Sequence, residues 1–334
     1  MKLSYQFGRE KSRTALGGGG GKTLVRDGGC AYNGKADPRR ASAEIHWRKT
    51  EGTALTELVR KTIQALQETN GNQGTGRMHH CPPPDRRKVI RVVKDLQALL
   101  FPMSFRREVP DMPDEALLEK ALGLLKAELA SALRFREEKD PEKAAGAMCE
   151  AFAGTLPRIR ELLLKDVEAL YEGDPAAVSR EEVMICYPGF YAISIYRLAH
   201  ELYLLDAPLI PRIMTEFAHE KTGIDIHPGA TVGEYFFIDH GTGIVVGETT
   251  TIGDHVKLYQ GVTLGARSFE LDENGNPVKK IKRHPDIGNH VVIYANATIL
   301  GGDTVIGDRC VIGGNTWLTG SVAAGSVVTY REEC

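Results

Sequence analysis

Between residues 224 and 318 apolar side chains recur every six residues, and this regularity restricts the fold more than any other feature. Ile226, Val232, Ile238 and Ile244 fall on the grid. After a two-residue slip, Val246, Ile252, Leu258 and Leu264 fall on it again. Ile287, Ile293, Ile299, Val305, Val311 and Trp317 then make six consecutive positions. Glycine follows the grid residue in Val232-Gly233, Val246-Gly247, Ile252-Gly253, Leu264-Gly265 and Ile287-Gly288. A period of six fits neither a helix, at 3.6 residues, nor a lone strand, at 2. It fits a hexapeptide β-helix. Each short strand turns one aliphatic side chain inward, and a small or polar turn swings the chain round a corner. Three faces, about 18 residues, close a triangular coil, and coils stack at about 4.8 Å. A β-sandwich would have to reproduce the grid by coincidence.

The grid breaks between Leu264 and Ile287. The intervening stretch is polar and holds an evident turn at Asn274-Gly275-Asn276-Pro277. A long loop thrown out of a regular solenoid is usually functional.

Upstream the periodicity is helical. Val89, Val92, Val93, Leu96, Leu99 and Leu100 share one helix face, and Leu117, Leu118, Ala121, Leu124, Leu125 and Leu129 repeat the pattern after Pro113-Asp114. Further helices are predicted at 141–153, 156–171, 189–204 and 208–221. The fold class is therefore α+β: an all-α domain over 86–222, then a left-handed parallel β-helix over 223–330 with an excursion at 265–286. Residues 1–85 read as a poorly structured leader. They carry a glycine run at Gly17 to Gly21, the string Cys81-Pro82-Pro83-Pro84, and helical spacing only at 54–67. Gly21-Lys22-Thr23 does not make a phosphate loop, because Leu16 stands where that motif needs glycine.

Composition excludes several classes. The 334 residues are ample for a sizeable core. A net charge of −2 gives no basic field for nucleic acid or an anionic membrane surface. No apolar run reaches the roughly 18 residues that span a bilayer, and the first residues lack the apolar core of a signal peptide. Cys30, Cys81, Cys149, Cys186, Cys310 and Cys334 are scattered without a C-x-x-C pair. That pattern fits a reducing cytoplasm, with neither a disulfide framework nor a cysteine zinc site.

Chemistry concentrates just off the grid. Asp225 and His240 are 15 residues apart, close to one coil, so the two are expected as neighbours on adjacent coils. A carboxylate that fixes an imidazole tautomer makes a general base that works near neutral pH. A solvated corner histidine is the alternative. Arg283-His284-Pro285 ends the excursion, where a guanidinium can clamp a carboxylate with two parallel hydrogen bonds. Lys279, Lys280 and Lys282 beside it leave a solvated basic run as the other reading. Asp174-Pro175 reads locally as a turn or a helix cap.

Two strings carry a family resemblance: Ile224-Asp225-Ile226-His227-Pro228-Gly229-Ala230, and Ile238-Asp239-His240-Gly241-Thr242-Gly243-Ile244-Val245-Val246-Gly247-Glu248-Thr249. With Val262-Thr263-Leu264-Gly265, Lys282-Arg283-His284-Pro285, Tyr187-Pro188-Gly189-Phe190, Tyr196-Arg197 and His200, they resemble serine acetyltransferases over roughly 86–330. The resemblance implies acetyl transfer from acetyl-CoA to the L-serine hydroxyl, the first step of cysteine biosynthesis from serine. It implies His240 as base, Asp225 as its orienting partner, and direct attack on the thioester without an acyl-enzyme. It implies Asp174 and Asp239 for the substrate amino group, and Arg283 with His284 for the carboxylate. Gly265, Ala295 and Gly314 would line acetyl-CoA, where small residues let a pantetheine arm approach the backbone. No metal is implied. The resemblance also implies a homotrimer or a dimer of trimers, with sites between neighbouring solenoids. Family members that bind O-acetylserine sulfhydrylase use a flexible tail with a terminal isoleucine. This sequence ends Thr329-Tyr330-Arg331-Glu332-Glu333-Cys334, so tight binding of that partner through the C-terminus is not expected.

Three other readings use the same features. A sugar or antibiotic acetyltransferase would keep the base and dispense with the carboxylate clamp. A γ-type carbonic anhydrase would need three histidines on zinc, drawn from His227, His240, His255, His284 and His290. A catalytically dead scaffold would need none of these residues.

Overall fold

The computed structural model describes residues 54–69 and 82–330. Most of the expected leader falls outside them, including Gly17 to Gly21, Gly21-Lys22-Thr23, Cys30 and Cys81, and so do residues 331–334. The chain divides into two compact units, Met1–Thr69 and Asn70–Cys334. The described part of the first is one helix, α1 (54–69), exposed along its whole length.

The second unit holds the remaining helices: α2 (Arg86–Leu100), α3 (Pro102–Phe105), α4 (Asp114–Phe135), α5 (Pro141–Gly173), α6 (Arg180–Cys186), α7 (Pro188–Leu204) and α8 (Ile210–Thr222). The predicted stripe of α2 is buried at Val89, Val92, Val93, Leu96 and Leu100, and the Asp85 side chain caps its start by accepting from Arg87 N. The helices predicted at 141–153 and 156–171 are one 33-residue helix, α5, which runs through Pro157. Proline there removes one backbone donor, but flanking turns packed through Phe152 and Ile159 carry the helix past it. Short α3 and α6 lie below the length that periodicity resolves. Among the described residues no helix is long and apolar enough to cross a membrane.

After Gly223, at φ +72, caps α8, the chain enters a parallel solenoid. Its two- and three-residue strands form three faces. The first carries β1 (Asp225–Ile226), β4 (Val245–Val246), β7 (Thr263–Gly265), β10 (Thr298–Leu300) and β13 (Trp317–Leu318). The second carries β2 (Thr231–Val232), β5 (Thr251–Ile252), β8 (Asp286–Ile287) and β11 (Val305–Ile306). The third carries β3 (Phe237–Asp239), β6 (Lys257–Tyr259), β9 (Val292–Ile293), β12 (Val311–Ile312) and β14 (Val327–Val328). Backbone bonds such as Val245 N to Val262 O and Thr263 N to Ala297 O tie each coil to the next.

The grid is correct inward as far as Ile299 and then shifts by one residue. Val305 is 47% exposed and Trp317 69%, whereas Ile306 and Ile312 are fully buried. The strand register agrees, with Ile306 opposite Ile287, Ile312 opposite Ile293 and Leu318 opposite Ile299. The corner between β10 and β11 holds one extra residue, so Val305, Val311 and Trp317 point outward.

Helices and solenoid share one hydrophobic core. A buried ion pair joins them. Arg197 of α7 donates through Nε and Nη2 to both oxygens of Asp166 in α5, and Nη2 also donates to Gly233 O. Asp166 in turn accepts from Phe236 N. With the two side chains 4% and 0% exposed, the pair fixes both helices against the first coil.

Candidate active site

His240 stands on the corner between β3 and β4. Equivalent corners above it pass from Leu258 to Leu264, Ile293 to Ile299 and Ile312 to Leu318 in six residues. The corner at His240 takes eight, from Ile238 to Val246, and this is the slip seen in the sequence. The two extra residues lift His240 off the stack. Its backbone is left-handed at φ +55, as are Gly261, Asn296 and Asn315 at the stacked corners. Its side chain is 72% exposed, and Nδ1 lies 3.7 Å from Asp239 Oδ1, a charge neighbour beyond hydrogen-bond length.

Asp225 does not pair with His240. The same two residues lengthen the first coil to twenty, so Asp225 lies opposite Val245. Its charge acts on His227 at the other end of β1. The expected Asp225–His240 contact rested on a coil of ordinary length.

Asp174 does reach the His240 corner. It caps the C-terminus of α5, and Tyr187, between α6 and α7, donates its hydroxyl to Asp174 Oδ2 at 2.5 Å. Ala176 N donates to Oδ1, so the local turn reading is also correct. The Tyr187 hydrogen bond, then the Ala176 N–H and the nearby His240 charge, hold the Asp174 carboxyl below the ordinary range. Asp174 and Asp239 also act on Tyr259 of β6, whose ring stacks on Tyr294 at 5.1 Å. Ala295 and Gly314 lie on successive corners above His240, and a Cβ at Gly314 would sit 3.0 Å from Ala295 O. Gly265 is separate from them, at the far end of the first face on β7.

Arg283 and His284 occupy that far end too. The excursion makes a small hairpin, with Leu271 bridging Pro277, and returns against the corner after β4. There Arg283 Nη2 donates to Glu248 Oε2 at 2.5 Å, and Tyr203 donates to Glu248 Oε1 at 3.1 Å. Burial works against the ionised form of Glu248. The Arg283 hydrogen bond and the His227 charge outweigh it and hold the carboxyl below the ordinary range. Thr249 anchors the dipeptide, its Oγ1 accepting from Arg283 N at 3.0 Å and His284 N at 3.1 Å.

His284 is 8% exposed, and its ring lies so close over Gly247 that any side chain there would overlap it. Nδ1 accepts from Thr249 N, which leaves the proton on Nε2. Burial, aided by the Arg283 charge, pushes its pKa down to about 4. An unfolded chain titrates this histidine near 6.5. Between those values the unfolded state alone takes up the proton, so stability falls as pH drops from about 6.5 to 4, by at most about 3 kcal/mol. His284→Gln is expected to flatten the fall in Tm over that interval in melts run at a series of pH values. An unchanged slope would contradict the burial account.

The structure thus gathers the expected residues into two groups. His240, Asp239, Asp174, Ala295 and Gly314 share one end of the first face. Arg283, His284 and Gly265 share the other. A six-residue face spans at most about 20 Å, and among the described residues no hydrogen bond or ion pair joins the groups within one chain. Within one chain His240 and His284 stand at opposite ends of the first face. Tyr187, Glu248 and Thr249 stand in the strings that carry the resemblance but received no role there, and Tyr203 was not quoted at all, since only folding shows what their polar atoms meet.

No protein-family model matches the chain. The "Serine acetyltransferase, plasmid" of Synechococcus elongatus is 47% identical over 267 residues, covering 75% of this chain and 83% of the relative. The serine acetyltransferase of Helicobacter pylori strain 26695 is 46% identical over 165 residues, 48% of this chain and 91% of its own. Serine acetyltransferase 1 of Entamoeba histolytica, solved in complex with L-cysteine, superposes with a TM-score of 0.63 at 35% identity, over 71% of this chain and 85% of that one. Helical layer, solenoid and sequence agree over most of the length, and the chain belongs to the serine acetyltransferase family.

Proposed function

We propose that the chain is a serine O-acetyltransferase whose site is completed by a second copy. The observation that carries this reading is the division of polar groups between two ends of one face. An exposed imidazole with two carboxylates stands at one end, and a guanidinium with a neutral histidine at the other. In a ring of copies the His240 corner of one solenoid faces the Arg283 corner of its neighbour. A homotrimer is the smallest heterologous ring of this kind, and a dimer of trimers repeats it.

L-serine fits the gap by charge. Asp174 and Asp239 meet its ammonium group, and Arg283 meets its carboxylate through N–H groups not spent on Glu248. His284 presents Nε2–H beside them. His240 takes the hydroxyl proton as the serine oxygen attacks the thioester carbonyl carbon. The carbon–sulfur bond then breaks, and the departing CoA sulfur takes the proton back from the imidazolium. Acetyl-CoA lies along the small residues Ala295 and Gly314, with Gly265 supplied across the cleft. Asp225 serves the base only if the exposed His240 ring turns over the first face. The products are O-acetylserine and CoA, in the cytoplasmic route from serine to cysteine.

A sugar acceptor would leave the N–H groups of Arg283 not spent on Glu248 without a carboxylate to meet. Comparison of L-serine with ethanolamine, which lacks only the carboxylate, tests this by thiol release from acetyl-CoA. Ethanolamine is expected to have kcat/KM lower by about 100-fold, the scale of one charge-assisted bidentate contact. Equal turnover of the two, or preference for a sugar, would contradict the serine assignment.

A further inference from the structure

Two helix ends dock on strand β3, and both do so through glycine. A Cβ at Gly173, the last residue of α5, would sit 2.5 Å from the Phe237 ring, and one at Gly189, in the first turn of α7, 2.6 Å from Ile238 O. These approaches bring Asp174 and Tyr187 to the His240 corner from two helices. Each Asp174 oxygen already holds one donor, Ala176 N on Oδ1 and the Tyr187 hydroxyl on Oδ2. Each keeps a further lone pair free. Tyr187 bonds Asp174 and also feels the Asp239 charge, so the phenol lies near both carboxylates assigned above to the amino group. The ring is partly buried and packs against the core, while its hydroxyl is the atom that reaches Asp174.

We propose that Tyr187 is a positioning residue for the substrate ammonium, fixing the Asp174 carboxylate so that its free lone pairs face the cleft. This rests on the serine reading above and extends it, since it makes the helical layer part of acceptor recognition. The phenol hydrogen has one acceptor and is spent on Asp174, so Tyr187 acts on the substrate through that carboxylate. Acetyl-CoA, on the corners above, gains nothing from it.

Steady-state kinetics of Tyr187→Phe test the assignment. The variant keeps the ring and loses only the hydroxyl. KM for L-serine is expected to rise about ten-fold, the scale of one hydrogen bond to a charged group. KM for acetyl-CoA, kcat and Tm are expected to stay near wild type. In an Asp174→Asn background the same change is expected to add nothing to KM for serine. An unchanged serine KM would overturn the proposal. So would a joint loss in both KM values, kcat and Tm, which marks a merely structural residue. Wild type run alongside separates the two claims: an active wild type with an unaffected variant removes only Tyr187, whereas a wild type that does not acetylate serine removes the serine reading and this one with it.

Discussion

His240→Ala is expected to lower kcat/KM for L-serine by about 10²- to 10⁴-fold, the usual cost of removing a general base. The structure makes this substitution informative. The imidazole is 72% exposed and its nearest carboxylate is 3.7 Å away, so its removal opens no core cavity and leaves no buried partner unpaired. Tm should therefore hold at the wild-type value, and KM for acetyl-CoA should hold with it. The two-residue enlargement of the corner supports the same view. Stacked corners turn with Gly261, Asn296 and Asn315, residues that tolerate the left-handed region or favour it. His255 and His290 share that conformation at corners where they stack on each other, so it is the enlarged corner and the exposed ring, not the backbone angle, that set His240 apart. A catalytically dead scaffold would keep its function in the variant. A loss of activity matched by a loss of stability would speak for a structural role instead.

Much of the fold was legible because one periodicity governs it. A solenoid repeats a single local rule, so Ile226 through Ile299 could be placed inward from spacing alone. The rule fails where a corner gains residues. An insertion at a corner changes the facing of everything after it, and the extra residue between β10 and β11 turned Val305, Val311 and Trp317 outward. At 238–246 the slip was visible, but its consequence for Asp225 was not. Counting 15 residues as one coil put Asp225 beneath His240, whereas the lengthened coil put it beneath Val245. The stretches 141–153 and 156–171 read as two helices, and packing through Phe152 and Ile159 joins them into one that runs through Pro157.

The site was legible in part for a related reason. His240, Asp239 and Arg283 belong to strings that resemble the family, so their types could be carried over directly. Glu248 and Thr249 stand in the same string as His240, but their role depends on a partner that returns through the excursion at 265–286, and spacing holds no record of where it lands. Asp174 was found by resemblance. Its hydrogen-bond partner Tyr187 lies across the turn that joins α6 to α7, and only the folded contact distinguishes that tyrosine from an ordinary helix residue.

The central claim is that the acetyl-transfer site joins the His240 corner of one copy to the Arg283 corner of another. Co-assembly of His240→Ala chains with Arg283→Ala chains tests it most directly. Each variant alone has one defective half in every site and is expected to be nearly inactive towards L-serine. In a random one-to-one mixture, a copy with intact His240 meets a neighbour with intact Arg283 at about a quarter of the sites of a closed ring. Serine-dependent thiol release is therefore expected to recover to about a quarter of the wild-type rate. If both halves came from one chain, no intact site would form. A mixture no more active than the mean of its two parents, under conditions where subunits are shown to exchange, would contradict the account.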